Sequence, residues 1–205
     1  MPRDGSATRT KIMDSAETLI LGSGFAATSV DKVIEGAGIT KGTFFYHFKS
    51  KAKLAEALVQ RWADADIGHL QANMAKAEEL SRDPLQQMLI FVGLFREELM
   101  HLQEPLPGCL FASFCYESEL FDASVHDTIL GTLTTWRRLL SGKFTAIMEL
   151  YPPRLPADAG ELADMITVIF EGAFVTSRSM NDPKMFAAQL GHYRSYLELL
   201  FKPED

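Results

Sequence analysis

Cysteine is scarce in this chain. Only Cys109 and Cys115 occur among 205 residues. Two thiols do not make a disulfide framework, so a reducing cytoplasm is the expected compartment. No apolar run reaches the roughly 20 residues that a membrane-spanning helix needs. Met1–Lys11 is polar and charged, unlike a secretory signal, and a loose arm is expected over Met1–Thr8. Internal repeats, low-complexity segments and alternating strand patterns are also missing. So are a nucleophile elbow, a phosphate-cradling glycine loop and a pair of metal ligands. His47 has no second His or Cys at ligand spacing, so no metal and no cofactor are expected. Overall positive charge is lacking too. The net charge is −7 and the isoelectric point is near 5.3, which in bulk argues against a nucleic-acid partner.

The charge is unevenly spread. Residues 1–55 carry eight Lys/Arg and five Asp/Glu, net +3, and the remainder is net −10. Between Gly36 and Ala55 stand Lys41, Lys49, Lys51 and Lys53, with no acid. A local basic patch suits phosphate neutralisation, and an acidic remainder favours approach to DNA by one end.

The same stretch has a helix-turn-helix pattern. Thr28 or Ser29 can cap a first helix, with Asp31 completing a capping box from Thr28. Val30, Val33, Ile34 and Ala37 give that helix one apolar face. Gly38 can end it in a left-handed conformation. Thr40 can then cap a second helix, on which Phe44 and Phe48 share a face. Two short helices about a glycine turn place the second as the reader of a major groove.

The remainder reads as helices. Ile12, Met13, Ala16, Leu19 and Ile20 share one face of a helix over 10–21, which completes a three-helix head. Ser50 can cap a long helix with Leu54, Leu58, Trp62 and Leu70 on its buried stripe, linking head and body. Asp83-Pro84 starts a helix reaching about Leu102, apolar nearly all round and so expected inside a bundle. Further helices are expected over Cys109–Tyr116, from about Asp122 to Leu150, from Asp158 to about Met180, and from Pro183 to about Phe201. The expected fold is all-α with about nine helices: a DNA-binding domain over 1–55 and a second domain over 56–205.

The segment from about Thr10 to Leu58 closely resembles the DNA-binding domain of the tetracycline-repressor (TetR) family of bacterial transcription regulators. The resemblance is carried by the helix Ile12–Leu21, Gly24-Phe25, Thr28-Ser29-Val30, Ala37-Gly38-Ile39 and Thr40-Lys41-Gly42-Thr43. Phe44-Phe45-Tyr46-His47-Phe48 and Lys49-Ser50-Lys51 complete it. Phe45 stands where family members often carry tyrosine. A shorter likeness to one subgroup of TetR-like C-terminal domains runs over Pro107–Phe111, with Glu117 following.

The resemblance implies a sequence-specific regulator, most often a ligand-responsive repressor that binds a palindromic operator as a homodimer. Lys41, Gly42, Thr43 and Phe45 then face base edges, with Thr40 opening their helix. Thr28, Ser29, Tyr46, His47, Lys49, Lys51 and Lys53 hold phosphates. The helices near 158–180 and 183–201 form the dimer seam. Met165, Ile169 and Phe174 are the expected interface residues, with Tyr193 and Leu197 on the last helix. The alternative is that these residues only complete the monomer core.

An effector site is expected in the body, its identity open. Phe91, Phe95, Phe114, Tyr116, His126 and Trp136 are candidate lining residues, with plain core packing as the alternative. Phe170, Glu171 and Arg178 join them, although Glu171 and Arg178 also suit a charge pair at the dimer seam. A second kind of input is a sensor thiol at Cys109, again with packing as the alternative. A small helical enzyme is the competing class. It lacks any arrangement that fixes Cys109 against His126.

Overall fold

The structure, a computed structural model, describes residues 5–202. Among the described residues there are nine α-helices, one 3-10 turn and no strand. The helices are α1 (Gly5–Ser23), α2 (Val30–Ala37), α3 (Lys41–His47), α4 (Lys51–Leu80), α5 (Pro84–Met100), α6 (Leu110–Tyr116), α7 (Ala123–Leu150), α8 (Ala159–Met180) and α9 (Met185–Leu200). The arm expected over Met1–Thr8 is helical from Gly5 onward, and the rest of it lies outside the described residues.

Local capping explains several of the boundaries. The Asp83 carboxylate accepts the Gln86 N–H, and Pro84 occupies the first helical position of α5, where its missing donor costs nothing. Asp158 accepts the N–H groups of Gly160 and Glu161 at the start of α8. That helix ends on Asn181 in the left-handed conformation, whose N–H closes back on the last turn.

The chain divides into two compact units. One comprises the chain up to Ala65 together with Pro107–Leu130; the other comprises Asp66–Leu106 and the chain from Gly131 onward. The expected boundary at residue 55 left Pro107–Leu130 to the second domain. In the structure this segment packs with the head, because Phe114 and Phe121 close on Phe25 at centroid distances of 5.7 and 4.6 Å. Ile12, Ala16, Phe44 and Leu58 are fully buried in this first unit.

The second unit has its own core. Phe91, Val92, Phe144, Ile166, Phe186 and Leu190 are all buried there. Tyr193 and Leu197 belong to the same core, which corrects their expected place at a dimer seam. The Tyr193 hydroxyl donates to the Leu162 carbonyl within the chain, and burial pushes its pKa far up. Periodicity marked both residues as apolar but could not say which side of α9 they cover. No helix among the described residues is long and apolar enough to cross a membrane.

Candidate nucleic-acid interface

Three caps set the geometry of the head. Ser29 caps α2, its hydroxyl accepting the Lys32 N–H. Gly38 ends α2 at φ 63°, and its N–H reaches the last-turn carbonyls. A side chain at that φ is strained, so glycine permits the tight turn. Thr40 caps α3 by accepting the Thr43 N–H. Phe44 and Phe48 go inward and pack at 6.1 Å, leaving the other face of α3 to solvent.

That face brings together most of the residues singled out from the sequence. Lys41, Gly42, Phe45 and Tyr46 are exposed, Tyr46 to 76%, and Thr43 is half-buried. Lys41 faces Asp31 at 3.7 Å, a largely solvated pair. Lys49 Nζ donates to the Phe45 carbonyl and Lys53 pairs with Glu56. His47 is half-buried, its ring edge-on to Tyr46 at 5.0 Å. Lys51 belongs to the same segment but not to the same surface.

Two expected phosphate contacts need correction. Thr28 is 3% exposed, and its hydroxyl donates to the Gly24 carbonyl, so it holds the turn before α2. The Thr28–Asp31 capping box is accordingly replaced by the Ser29 cap. Lys51 turns inward: Nζ donates to the Phe25 carbonyl at 2.5 Å and stands 3.9 Å from the Phe25 ring centroid. Partial burial pulls its pKa down, with the Glu117 carboxylate pulling the other way. Lys51 is a strut of the head.

Arg9 was not singled out from the sequence. Its guanidinium lies 4.9 Å from the Phe48 ring centroid. With Lys53, Gln60, Ser124 and Thr128 it lines an open cleft of about 390 Å³ in the same unit. Nothing local marks Arg9, since its position in α1 follows from how three helices pack.

The expected effector residues are divided between the units. Phe91, Phe95, Trp136 and Phe170 come together in the second unit. Phe95 touches the other three rings at 5.2, 5.9 and 5.2 Å. Phe114, Tyr116 and His126 lie in the first unit and are corrected as lining residues. Phe114 packs with Phe121 at 4.4 Å, Tyr116 is 85% exposed, and His126 donates to the Ser118 carbonyl. Glu171 is half-buried and Arg178 exposed on α8.

Asp66 was missed, and it accepts the Trp136 indole N–H beside this ring cluster. Burial pushes its carboxyl above the ordinary range, with that hydrogen bond and His69 opposing. The sequence did carry a signal, since Asp66 interrupts the i, i+4 stripe Leu58, Trp62, Leu70.

Cys109 is buried and Cys115 exposed. The expected sensor thiol is therefore the less accessible of the two. Cys109 precedes α6, and its carbonyl accepts from Ser113. Among the described residues no group of His, Cys, Asp and Glu is arranged to hold a metal ion.

A capped helix, a glycine turn and a second capped helix with a basic and aromatic outer face define a DNA-binding helix-turn-helix. A family model described as bacterial regulatory proteins, tetR family, matches residues 12–58 of the chain. Over those residues the chain carries the DNA-binding domain of that family of transcription regulators. Transcriptional regulator AcuR from Cereibacter sphaeroides is 24% identical over 76% of this chain and 69% of its own length. The transcriptional repressor KstR2 from Rhodococcus jostii is 27% identical over 47% of this chain, which spans about half (52%) of that relative. Solved structures share the fold over nearly all of the chain. A TetR-family regulator from Agrobacterium tumefaciens superposes with a TM-score of 0.75 at 22% identity, covering 97% of this chain and 100% of that one. One from Chloroflexus aurantiacus gives 0.76 at 22% identity, covering 97% and 98%.

Proposed function

We propose that two copies of this chain bind a roughly palindromic operator as a ligand-responsive repressor, and that a small molecule bound in the second unit releases it. The observation that carries this reading is the outer face of α3. Lys41, Gly42, Phe45 and Tyr46 stand in solvent, with half-buried Thr43 among them, on a helix whose other face is locked by Phe44 and Phe48. Lys49 and Lys53 flank that face and supply phosphate contacts, with Lys41 and Thr43 at base edges.

A dimer supplies the second head that a palindrome requires. The exposed residues of α8 support one: Met165, Val168, Gly172, Val175 and Ser179 recur at three- and four-residue spacing. Val168 is 69% and Val175 55% exposed, more apolar surface than a solvent-facing helix ordinarily leaves open. Ala188, His192, Ser195 and Leu199 repeat the spacing on α9. Ile169 and Phe174 are half-buried, Phe174 against Phe186, so they flank this stripe.

The effector reading rests on the ring cluster of Phe95, Trp136 and Phe170 with the half-buried carboxylate of Asp66 beside it. Perturbed titratable groups next to aromatic surface are candidate ligand contacts. Release is a coupling free energy between this site and the heads.

The test is binding to duplex DNA selected from a random library, measured by fluorescence anisotropy. Thr43→Ala should lose about 1–3 kcal/mol on the selected duplex. Lys49→Ala should weaken all duplexes alike and reduce the salt slope by about one. Unchanged binding by both variants would refute the assignment of α3 as the reading helix.

A further inference from the structure

We infer that the operator is read mainly through thymine methyl groups, with the Phe45 ring as the principal contact and the Thr43 side chain beside it. This rests on the DNA-binding reading above and specifies what that surface recognises.

The argument begins with residue types. Residues 28–55 contain no Arg, Asn or Gln. Those side chains make the bidentate hydrogen bonds by which guanine and adenine are usually told apart in the major groove. The polar groups that α3 does offer are partly engaged. The Thr43 hydroxyl is 2.9 Å from that of Thr40, and the Thr43 N–H is spent on the cap. Lys49 Nζ reaches back to the Phe45 carbonyl. Lys41 keeps a solvated ammonium opposite Asp31, a point charge rather than a fork.

Apart from Tyr46, whose hydroxyl is expected at a phosphate, what remains is apolar. Phe45 is 39% exposed in the middle of this face, between Lys41 and Lys49. Its ring stands edge-on to the buried Phe44 ring, centroids 5.2 Å apart at 83°. Packing against a fixed ring holds Phe45 in one orientation before DNA arrives, which lowers the ordering cost of a contact. Phenylalanine has neither donor nor acceptor, so it cannot distinguish bases by hydrogen bonding. The apolar feature that a major groove presents is the thymine 5-methyl, and it alone separates thymine from uracil. Gly42 adds no side chain beyond its backbone, which lets this part of α3 approach the base edges closely.

The experiment uses the full chain and the duplex that it selects from a random library. Each thymine of that duplex is replaced in turn by deoxyuridine, which removes one methyl and no hydrogen-bonding group. Affinity is measured at fixed salt for the native protein and for Phe45→Ala, whose helicity is checked by circular dichroism. At one or two positions per half-site, uracil should weaken the native protein by about fourfold per methyl. Phe45→Ala should bind the thymine and uracil duplexes equally at the position it reads, with an unchanged salt slope. Equal affinity of the native protein for every uracil duplex would overturn the methyl contact and leave DNA binding intact. Full discrimination retained by Phe45→Ala would overturn the assignment to Phe45. Selection of no sequence above random would overturn the DNA-binding reading, and the methyl contact with it.

Discussion

Removal of Glu117 should loosen the head. Glu117 lies some ninety positions from its partners. Oε1 accepts the Phe25 N–H and Oε2 the Ala26 N–H, both at 2.7 Å. The carboxylate thus satisfies two consecutive amides of the turn after α1. The turn is held again by Lys51 on the Phe25 carbonyl and by Phe114 and Phe121 on the Phe25 ring. Gly24, at φ 85°, leaves room for the carboxylate, since a Cβ there would come within 2.7 Å of Oε1.

A hydrogen bond to a charged group contributes about 1.5–3 kcal/mol, and more is lost when the remaining donor is left dry. Phe25 is buried, so its N–H is the costly one, whereas the exposed Ala26 N–H can turn to water. Glu117→Ala should therefore loosen the turn by about 2–4 kcal/mol. In native-state hydrogen exchange the Phe25 amide should then exchange roughly 30- to 700-fold faster, at about 1.4 kcal/mol per factor of ten. Glu117→Gln keeps one acceptor and should fall between. The Lys51 ammonium also loses the carboxylate that raises its pKa. If Phe25 and Ala26 exchange at native rates in Glu117→Ala, the carboxylate does not hold this turn and the reasoning fails.

Two further predictions concern the second unit. Burial raises the Asp66 pKa, so between the ordinary carboxylate value and that raised value the folded chain binds more protons than the unfolded one, and stability falls as pH rises through this window. Asp66→Asn keeps an acceptor for Trp136 and removes the charge. It should therefore gain over the native chain in urea unfolding at neutral pH and show no gain below about pH 3.5, and a difference independent of pH would refute the assignment. Val168→Asp and Val175→Asp place carboxylates on the exposed stripe of α8 and should yield monomers by light scattering, with little loss of helicity. Stable dimers from both variants would put the seam elsewhere.

The helices were legible because their signals are local. Asp83-Pro84, Asp158 and Thr40 act within three residues of themselves, and the structure places helix starts beside each. The outer face of α3 was legible for the same reason, since seven residues between a threonine cap and Phe48 leave little choice of which side is buried. Non-local placement was not legible. No pattern near Glu117 announces Phe25, and no pattern near Lys51 says that its ammonium turns inward. Tyr193 and Leu197 show a related limit: both are apolar at helical spacing, and only packing decides whether such a stripe meets its own core or a second copy. Thr28 shows that a good capping residue one position too early becomes a turn residue, because Ser29 takes the cap.

The charges at the head explain how an acidic protein can still bind DNA by one end. Lys41 faces Asp31 and Lys53 faces Glu56, and the lysines of both pairs are more than half exposed. Pairs with solvated lysines of this kind add little to stability, so exchanging the acid for a phosphate costs little. The acids act as placeholders that a phosphate can displace. Lys51 is different, because its bonds to the Phe25 carbonyl and ring are part of the fold and are not available for exchange. Few cations per head then remain for phosphates, chiefly Lys49, Lys53 and Arg9. A single head with so few contacts binds weakly at physiological salt, and two heads held in register multiply their contributions. Anything that spoils the register loses most of that gain without touching a single DNA contact, which is how the proposed effector in the second unit would release the operator.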